Sequence, residues 1–390
     1  MRSSASLRRL GPTHDLAVRR SSVAAVPDVW LFGAVAALVG IGLVMIYSAS
    51  SVTAYAQHLD TAYYVKRQFL WLLVGTLFAF GAYRIDYLLL RRFAPYILLA
   101  GFLGLVLVYA PHLGLRINGA HRWIGIRSFS LQPSEFAKLS LVIFLAAWLS
   151  GRSPRIDITK LVKGLIPACI PVAVMAYLVL KEPDLGTASL IVMTAAAIFF
   201  AAGARILHLA AVSLAVLPPL VIEVTRNAMW RARLFAFLNP WRDPQNTGFH
   251  IIQSLYALGS GGIRGVGLGA SGEKFFYLPE QYTDFIFSVL GEEWGLIGAL
   301  TVVALFMILA FRAIRIALAA EPFGFLLTIG CTAMIVLQAF VNIGVVTSSW
   351  PVTGVPLPFI SFGGSSLVVD LVAVALILNV GRRRRASSGR

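Results

Sequence analysis

The sequence predicts an all-α polytopic membrane protein with about ten transmembrane helices. Two observations carry this prediction. Hydrophobic residues make up 58% of the 390 residues and charged residues only 13%, about half the charged share of a soluble domain. Long apolar runs also recur along the whole chain, whereas a soluble protein would intersperse them with charge. The composition excludes a soluble enzyme, a disordered protein and a disulfide-stapled secreted domain.

Each apolar run is a candidate for a helix of about 20 residues that crosses the bilayer. The first run is not a cleavable signal peptide, because it is long, lacks an evident small-residue cleavage site and follows a tail that bears arginines. The predicted spans cover residues 28–49, 68–84, 93–110, 135–150, 162–180, 187–203, 206–224, 284–311, 323–346 and 366–381.

An even number of spans places both termini on the same side of the membrane. Lysine and arginine are more numerous on that side, so the positive-inside rule predicts that both termini are cytoplasmic. The chain then divides into a cytoplasmic tail (1–27), a membrane domain (28–381) and a basic cytoplasmic tail (382–390). A long extracytoplasmic loop (225–283) joins the seventh and eighth helices. Basic residues are scattered between apolar runs, so we expect no nucleic-acid partner.

The long loop carries basic residues that suggest an anionic ligand, and a glycine-rich stretch over 259–269. Asp284 follows it, at the mouth of an apolar helix. The alternative reading of Asp284 is a helix cap, where the helix dipole would lower its pKa. Glu292 and Glu293 lie further along the same helix. Ionisable groups at such positions face a cavity or a partner.

Two more extracytoplasmic segments are unlike ordinary loops. In 111–138, Arg122 is a candidate ligand contact or an interfacial anchor, and Glu135 and Lys138 have the spacing of a helical ion pair.

The apolar segment 347–366 holds three prolines and three glycines in Trp350–Ser366, so it cannot form a regular helix. Irregular backbone at membrane depth must be buried in protein or line a wet cavity. These segments predict an outward-facing polar cavity, suited to an enzyme, a transporter or a docking surface.

Six motifs together resemble the SEDS family (shape, elongation, division and sporulation), over about residues 28–381. The Lys274–Phe287 stretch and Gly291-Glu-Glu are closer to the division and sporulation branches, FtsW and SpoVE, than to the elongation branch, RodA. The motifs are Asn118-Gly-Ala-His-Arg-Trp, Gln132-Pro-Ser-Glu-Phe-Ala-Lys, Glu182-Pro-Asp-Leu-Gly-Thr, Tyr277-Leu-Pro-Glu-Gln-Tyr-Thr-Asp-Phe-Ile-Phe, Gly291-Glu-Glu and Pro351-Val-Thr-Gly-Val-Pro-Leu-Pro-Phe-Ile-Ser-Phe-Gly-Gly-Ser-Ser.

The resemblance implies a ten-helix peptidoglycan glycosyltransferase of the bacterial cytoplasmic membrane, located at the division septum. It implies that the protein polymerises lipid II into glycan strands during cell division. The implied partners are lipid II, a class B penicillin-binding protein that cross-links the peptides, and other divisome proteins. The family's essential aspartate corresponds to Asp284. Tyr282 stands where the common motif has histidine, which puts a proton-relay role of that position in doubt, and Phe362 stands where tyrosine is usual.

Glycosyl transfer needs a group that accepts the hydroxyl proton and groups that bind developing negative charge. Asp284 is the predicted catalytic carboxylate and general base, although a role in orienting a metal ion stays open. The candidate cations are Arg122, Lys138 and Lys274, and a divalent cation, Mg²⁺ or Mn²⁺, is a further candidate clamp for the pyrophosphate. The remaining candidate substrate contacts are Glu135, Glu280, Ser361, Gly363, Gly364 and Ser365.

Three alternatives remain open at this point. A lipid II flippase or other transporter would suit broken helices and buried carboxylates, although the unusual polar segments gather on one face. A non-catalytic scaffold for division proteins would need no active-site carboxylate. A role in elongation instead of division would keep the chemistry and change the partners.

Overall fold

The helices of the molecule are described by a computed structural model, which covers residues 28–110, 114–117, 120–126, 129–151, 157–272 and 280–388. The first half contains α1 (Val29–His58), α2 (Tyr63–Arg84), α3 (Tyr87–Leu107), α4 (Pro133–Leu149), α5 (Ile166–Lys181, after a π turn at Leu161–Leu165) and α6 (Leu185–Ala201). The second half contains α7 (Ile206–Arg226), α8 (Ala228–Leu238), a 3₁₀ turn (Pro240–Arg242), α9 (Phe249–Gly261), α10 (Ile286–Ala317), α11 (Pro322–Val346) and α12 (Gly364–Ser388).

Every predicted span coincides with one of these helices, and the prediction of an all-α polytopic membrane protein is confirmed. Among the described residues, seven helical segments are long and apolar enough to cross a membrane. The other three predicted spans correspond to α2, α4 and α6, of which α6 is a shorter apolar helix. The total number of crossings and the side of the termini stay predictions. The predicted tail 1–27 lies outside the described residues.

Helices α11 and α12 are the most buried of the long apolar helices. Helix α12 packs along α2, α3 along α4, and α1 along α10, while α11 contacts α4, α6, α10 and α12. By contrast, no side chain of α7 whose burial is described is buried, and its main contacts are with α6 and α8. Apolar side chains fill the space between the helices. The buried polar groups are the exception to this packing, and their positions indicate the candidate site.

The predicted extracytoplasmic segment 111–138 contains a small antiparallel sheet that the sequence reading missed. Its strands are β1 (Gly114–Ile117), β2 (Ala120–Ile126) and β3 (Phe129–Leu131), in the order β1-β2-β3. A signal was available, because Asn-Gly between two runs of alternating apolar residues is typical of a hairpin. The sheet leads directly into α4, whose first residue is Pro133, a residue that suits the first turn of a helix.

The predicted long loop 225–283 holds α8 and α9, and its glycine-rich end packs against α10. Helix α10 is broken at Gly295, which has φ 65°. There the amides of Val266 and Gly267 donate to the carbonyls of Glu292 and Glu293 over 2.9 and 3.1 Å. A Cβ on Gly265 (φ 80°) would lie 2.1 Å from the Glu293 carbonyl oxygen. Glycine is required because two backbones approach each other here, so these glycines serve packing between segments.

Candidate functional site

Asp284 lies in a turn just before α10, and hydrogen bonds from three parts of the bundle fix that turn. Asn342 on α11 donates to the Asp284 carbonyl over 2.8 Å. The Ser361 hydroxyl donates to the Thr283 carbonyl over 2.5 Å. Gln281 donates to the hydroxyl of Thr53 on α1 over 3.2 Å. The backbone of Asp284 is therefore held independently of its carboxylate.

The carboxylate of Asp284 does not cap the helix, so the capping alternative is wrong. Helix α10 begins at Ile286, and its N-cap, Phe285, makes no side-chain cap hydrogen bond. The Asp284 carboxylate makes no hydrogen bond to any described residue and is partly exposed. Burial, in the first place, and the negative charge of Glu280 together raise its pKa to about 7. The expectation that a helix dipole would lower this pKa is also wrong, because desolvation outweighs it.

Charged side chains from distant parts of the chain surround Asp284. Arg233 on α8 and Arg122 on β2 lower its pKa, while Asp184 before α6 raises it. The pKa of Arg233 is itself lowered by burial and by Arg122. The long loop and the sheet thus bring two guanidinium groups toward one carboxylate that has no hydrogen-bond partner among the described residues. Such an arrangement can bind an anion beside a proton acceptor.

Arg122 reaches from β2 to the loop between α5 and α6. Its Nε donates to the Glu182 carbonyl over 3.0 Å, and one terminal nitrogen donates to the Pro183 carbonyl. The other terminal nitrogen lies 3.8 Å from Asp184 Oδ2. The side chain is therefore directed into the protein. These contacts do not describe an interfacial anchor.

Asp184 and Glu182 are buried acids that the sequence reading noted only as part of a polar break. Asp184 caps α6, because its Oδ1 accepts from the Thr187 amide and its Oδ2 from the Thr187 hydroxyl, both over 3.0 Å. Glu182 is fully buried, and neither carboxyl oxygen has a hydrogen-bond partner among the described residues. An Asp three residues before Thr, ahead of an apolar run, is the signal that could have identified the cap.

The segment after α11 forms no regular helix before α12, as predicted, and much of it is buried. Gly354, with φ 71°, faces the catalytic candidate: a Cβ there would lie 3.4 Å from Asp284 Oδ2. The Ser361 hydroxyl also accepts from the Leu357 amide over 2.8 Å. Gln68 on α2 donates to the Ser361 carbonyl over 3.2 Å and accepts from the Gly363 amide. These contacts hold the segment against Asp284.

Glu135 and Lys138 form the ion pair that their spacing predicts, with 3.0 Å between Lys138 Nζ and Glu135 Oε2. Both residues are buried. Lys138 also donates to Gln338 Oε1 on α11 over 2.6 Å. Gln338 in turn donates to the Ser366 hydroxyl, which donates to Asp370 over 3.3 Å. Lys138 is thus part of a polar network between α4, α11 and α12 in the bundle interior.

The other predicted contacts are placed as follows. Ser365 accepts from the backbone amide of Gln132, just before α4, over 2.9 Å. Gly364 packs on Trp71, where a Cβ would lie 2.3 Å from the indole. The exposed Glu280 accepts from the Thr283 hydroxyl over 3.0 Å. Lys274 lies outside the described residues. A role of these residues in binding substrate stays a prediction.

Glu292 and Glu293 both have partners, as ionisable groups in an apolar helix require. Glu292 accepts from the Ser271 hydroxyl and, over 2.8 Å, from the Gly272 amide. Glu293 accepts from the hydroxyl of Ser48 on α1 over 2.5 Å. These carboxylates tie the glycine-rich loop and α1 to α10.

Tyr282, at the position where histidine was expected, belongs to an aromatic cluster. Its ring lies 4.5 Å from the ring of Tyr64 and 5.9 Å from that of Phe362, centroid to centroid. Burial raises the pKa of the Tyr282 phenol above its usual value. Tyr282 therefore supplies packing here. A histidine does lie nearby, since His250 on α9 stacks on Phe285 with 5.8 Å between ring centroids.

In the part of the chain that the structure describes, no group of three or more histidine, cysteine, aspartate or glutamate side chains could hold a metal ion. The divalent cation stays a prediction.

The residues that sequence reasoning missed are Asn342, Gln338, Asp370, Arg233, Asp184 and Glu182. Apart from Arg233, which lies on α8, each is a polar residue on an apolar helix or at its end, which is a signal that could have found them.

A family model described as "Cell cycle protein", for FtsW, RodA and SpoVE, matches residues 29–386. The chain belongs to this family. Among its relatives, the Stage V sporulation protein E of Bacillus subtilis is 44% identical over 361 residues, which are 92% of this chain and 98% of the relative. The "Probable peptidoglycan glycosyltransferase FtsW" of Geobacter metallireducens is 44% identical over 352 residues, 90% of this chain and 93% of the relative.

Solved structures of the FtsW/RodA/SpoVE family share the fold. The RodA protein of Thermus thermophilus superposes with a TM-score of 0.67 at 30% identity, covering 92% of this chain and 98% of that chain. A chain from a structure titled "Structural coordination of polymerization and crosslinking by a peptidoglycan synthase complex" gives a TM-score of 0.76 at 30% identity, with the same coverage. This family member is accordingly a multi-pass membrane protein.

Proposed function

We propose that this protein is a peptidoglycan glycosyltransferase that polymerises lipid II, with Asp284 as its general base. One observation carries the proposal: within the described part of the chain, a carboxylate without a hydrogen-bond partner lies near two arginines at the end of the bundle predicted to be extracytoplasmic. The names of the relatives support the same reaction class. A pKa near 7 suits a base at neutral pH, because the carboxylate is then about half ionised and still basic enough to accept a proton.

In the proposed reaction, a hydroxyl of the acceptor N-acetylglucosamine attacks the anomeric carbon of the donor chain. The new glycosidic C–O bond forms as the bond from that carbon to the pyrophosphate oxygen breaks. Asp284 takes the proton of the attacking hydroxyl, and undecaprenyl pyrophosphate leaves with the bonding electron pair. One carboxylate suffices because a single displacement inverts the anomeric centre.

The leaving pyrophosphate needs positive charge close to the breaking bond. Arg122 and Arg233 supply it, since both influence Asp284 electrostatically and come from elements outside the apolar helices. Planar guanidinium groups suit phosphate oxygens because they donate paired hydrogen bonds. A divalent cation would add Lewis-acid stabilisation at the same oxygens.

We also propose that the protein works at the septum of the bacterial cytoplasmic membrane with a class B penicillin-binding protein and other divisome proteins. The structure of a complex described as coordinating polymerization and crosslinking supports the pairing with a cross-linking enzyme. The division role is favoured over elongation, because relatives named FtsW are 37–44% identical to this chain. A sporulation role is the alternative, since a Stage V sporulation protein is equally similar.

The decisive experiment uses purified protein in detergent with lipid II, alone and with the penicillin-binding partner. Without a bilayer there is no leaflet to cross, so glycan polymer can arise only by transfer. Polymer in this assay supports the proposal. Translocation of lipid II in vesicles, with no polymer in detergent or in vesicles, would instead establish the flippase and overturn the transferase. A scaffold would give neither product.

A further inference from the structure

Glu182 is a buried titratable group that the proposed reaction does not use. It follows α5, directly before Pro183 and Asp184. Its side chain has no exposed surface, and neither carboxyl oxygen has a hydrogen-bond partner in the described ranges. An ionised carboxylate that is buried without hydrogen bonds is strongly destabilised, so such a group takes up a proton.

The groups around Glu182 reinforce this conclusion. Arg122 binds the Glu182 carbonyl through Nε and not the carboxyl group. The nearest charge partner of Arg122 is Asp184 at 3.8 Å, whose oxygens already accept hydrogen bonds from Thr187. A second ionised carboxylate here would give one guanidinium two negative neighbours. Arg122 and Asp184 together are already neutral, so a second negative charge would make this cluster net negative and would repel an anion.

The pKa of Glu182 is raised to about 8 by burial and by Asp184, against the opposing effect of Arg122. At pH 7 the side chain is therefore mostly neutral. The titratable and charged groups near it come from several elements: Arg122 from β2, Asp184 at the start of α6, Tyr109 after α3, and Tyr177 and Lys181 from α5.

We propose that Glu182 is a positioning residue that stays protonated during turnover, so that no second negative charge beside Arg122 opposes binding of the diphosphate of the donor substrate. The functional half of this inference rests on the proposed function, because it assumes a diphosphate ligand at Arg122. The structural half, a protonated Glu182, does not depend on any activity.

The first test is the KM for lipid II between pH 7 and pH 9. At pH 9 only about a tenth of the wild-type protein would carry neutral Glu182, so KM should rise about tenfold if only that form binds well. A diphosphate esterified at both ends keeps its charge over this range. Glu182→Gln, which is permanently neutral, should keep the wild-type KM at pH 7 within about threefold and lose most of the alkaline rise.

The control is Asp60→Asn, because Asp60 is an exposed carboxylate paired with Lys66 in the turn between α1 and α2. It should show the wild-type alkaline rise. The expected effect is in KM, whereas ionisation of Asp284 changes kcat, so the two groups are separable in one data set. A KM for Glu182→Gln at least tenfold above wild type at pH 7, or an alkaline rise equal to wild type, would overturn the proposal.

The second test is an infrared pH titration of the purified protein without substrate. The wild-type protein should show a protonated-carboxyl C=O band near neutral pH that disappears as the pH rises through about 8 and is missing from Glu182→Gln. If that variant does not fold, Glu182→Met takes its place, because a neutral group without hydrogen bonds should tolerate an apolar side chain of similar length. A carboxylate band for Glu182 already present at pH 7 would refute the protonated state.

The two tests separate this inference from the proposed function. Wild-type protein that never polymerises lipid II would remove the proposed reaction, and the infrared titration would still decide the protonation of Glu182. Wild-type polymerisation with an ionised Glu182 would leave the reaction standing and remove the inference.

Discussion

The side-chain amide of Asn342 donates a hydrogen bond to the backbone carbonyl of Asp284 across 2.8 Å. The same amide group donates to the Val355 carbonyl, also across 2.8 Å. One residue near the C-terminal end of α11 therefore joins the turn before α10 to the irregular segment after α11. The position of Asp284 relative to Gly354 depends on that connection.

Asn342→Leu should lower kcat by about 10²-fold, because a displacement of about 1 Å at a reacting group has an effect of this size. It should also cost about 1–3 kcal/mol of stability, since two buried carbonyls lose their donor. Polymerisation kinetics and thermal unfolding in detergent measure both effects. Cys331→Ala, on the same helix, is the control and should change kcat little. A full rate for Asn342→Leu would show that the connection does not position Asp284.

The rate should depend on pH through Asp284. A general base works in its ionised form, and the pKa of Asp284 is about 7, so kcat should rise between pH 6 and pH 8 and then level off. Glu280→Gln removes a negative neighbour that raises this pKa, and the profile should move to lower pH. A profile that stays flat, or a shift to higher pH in Glu280→Gln, would contradict this account.

The buried ion pair predicts a double-mutant result. Lys138→Met leaves Glu135 without its counterion inside the bundle and should cost about 3–5 kcal/mol of stability. Glu135→Gln together with Lys138→Met removes both charges and should recover most of that loss. Thermal unfolding of wild type, Lys138→Met, Glu135→Gln and the double variant measures the coupling. Additive losses would mean that the pair does not act as a unit.

The glycine-rich loop predicts a steric effect. Gly265→Ala places a Cβ 2.1 Å from the Glu293 carbonyl oxygen at a φ of 80°, so it should lower both the unfolding temperature and the polymerisation rate. Gly259→Ala is the matched control, because nothing lies within 4 Å of its added Cβ. Equal behaviour of the two variants would mean that the loop does not pack on α10 as described.

The spans, the irregular segment 347–363 and the Glu135–Lys138 pair were predictable from the sequence, because apolar length, proline content and helical spacing are local properties. The groups that surround Asp284 were not predictable from the sequence. Asn342, Arg233 and Asp184 reach it only through tertiary packing of segments far apart in the chain. The wrong prediction about its pKa has the same origin, since the extent of burial follows from that packing.

The most direct test of the central claim is polymerisation of lipid II in detergent by Asp284→Asn beside wild type and Asp60→Asn. Asparagine keeps the shape of the side chain and cannot accept the proton, so the rate should fall by about 10²–10⁴-fold while the protein unfolds at the wild-type temperature or above. Asp60→Asn should polymerise normally. A folded Asp284→Asn protein that makes glycan at the wild-type rate would show that this carboxylate has no part in the reaction.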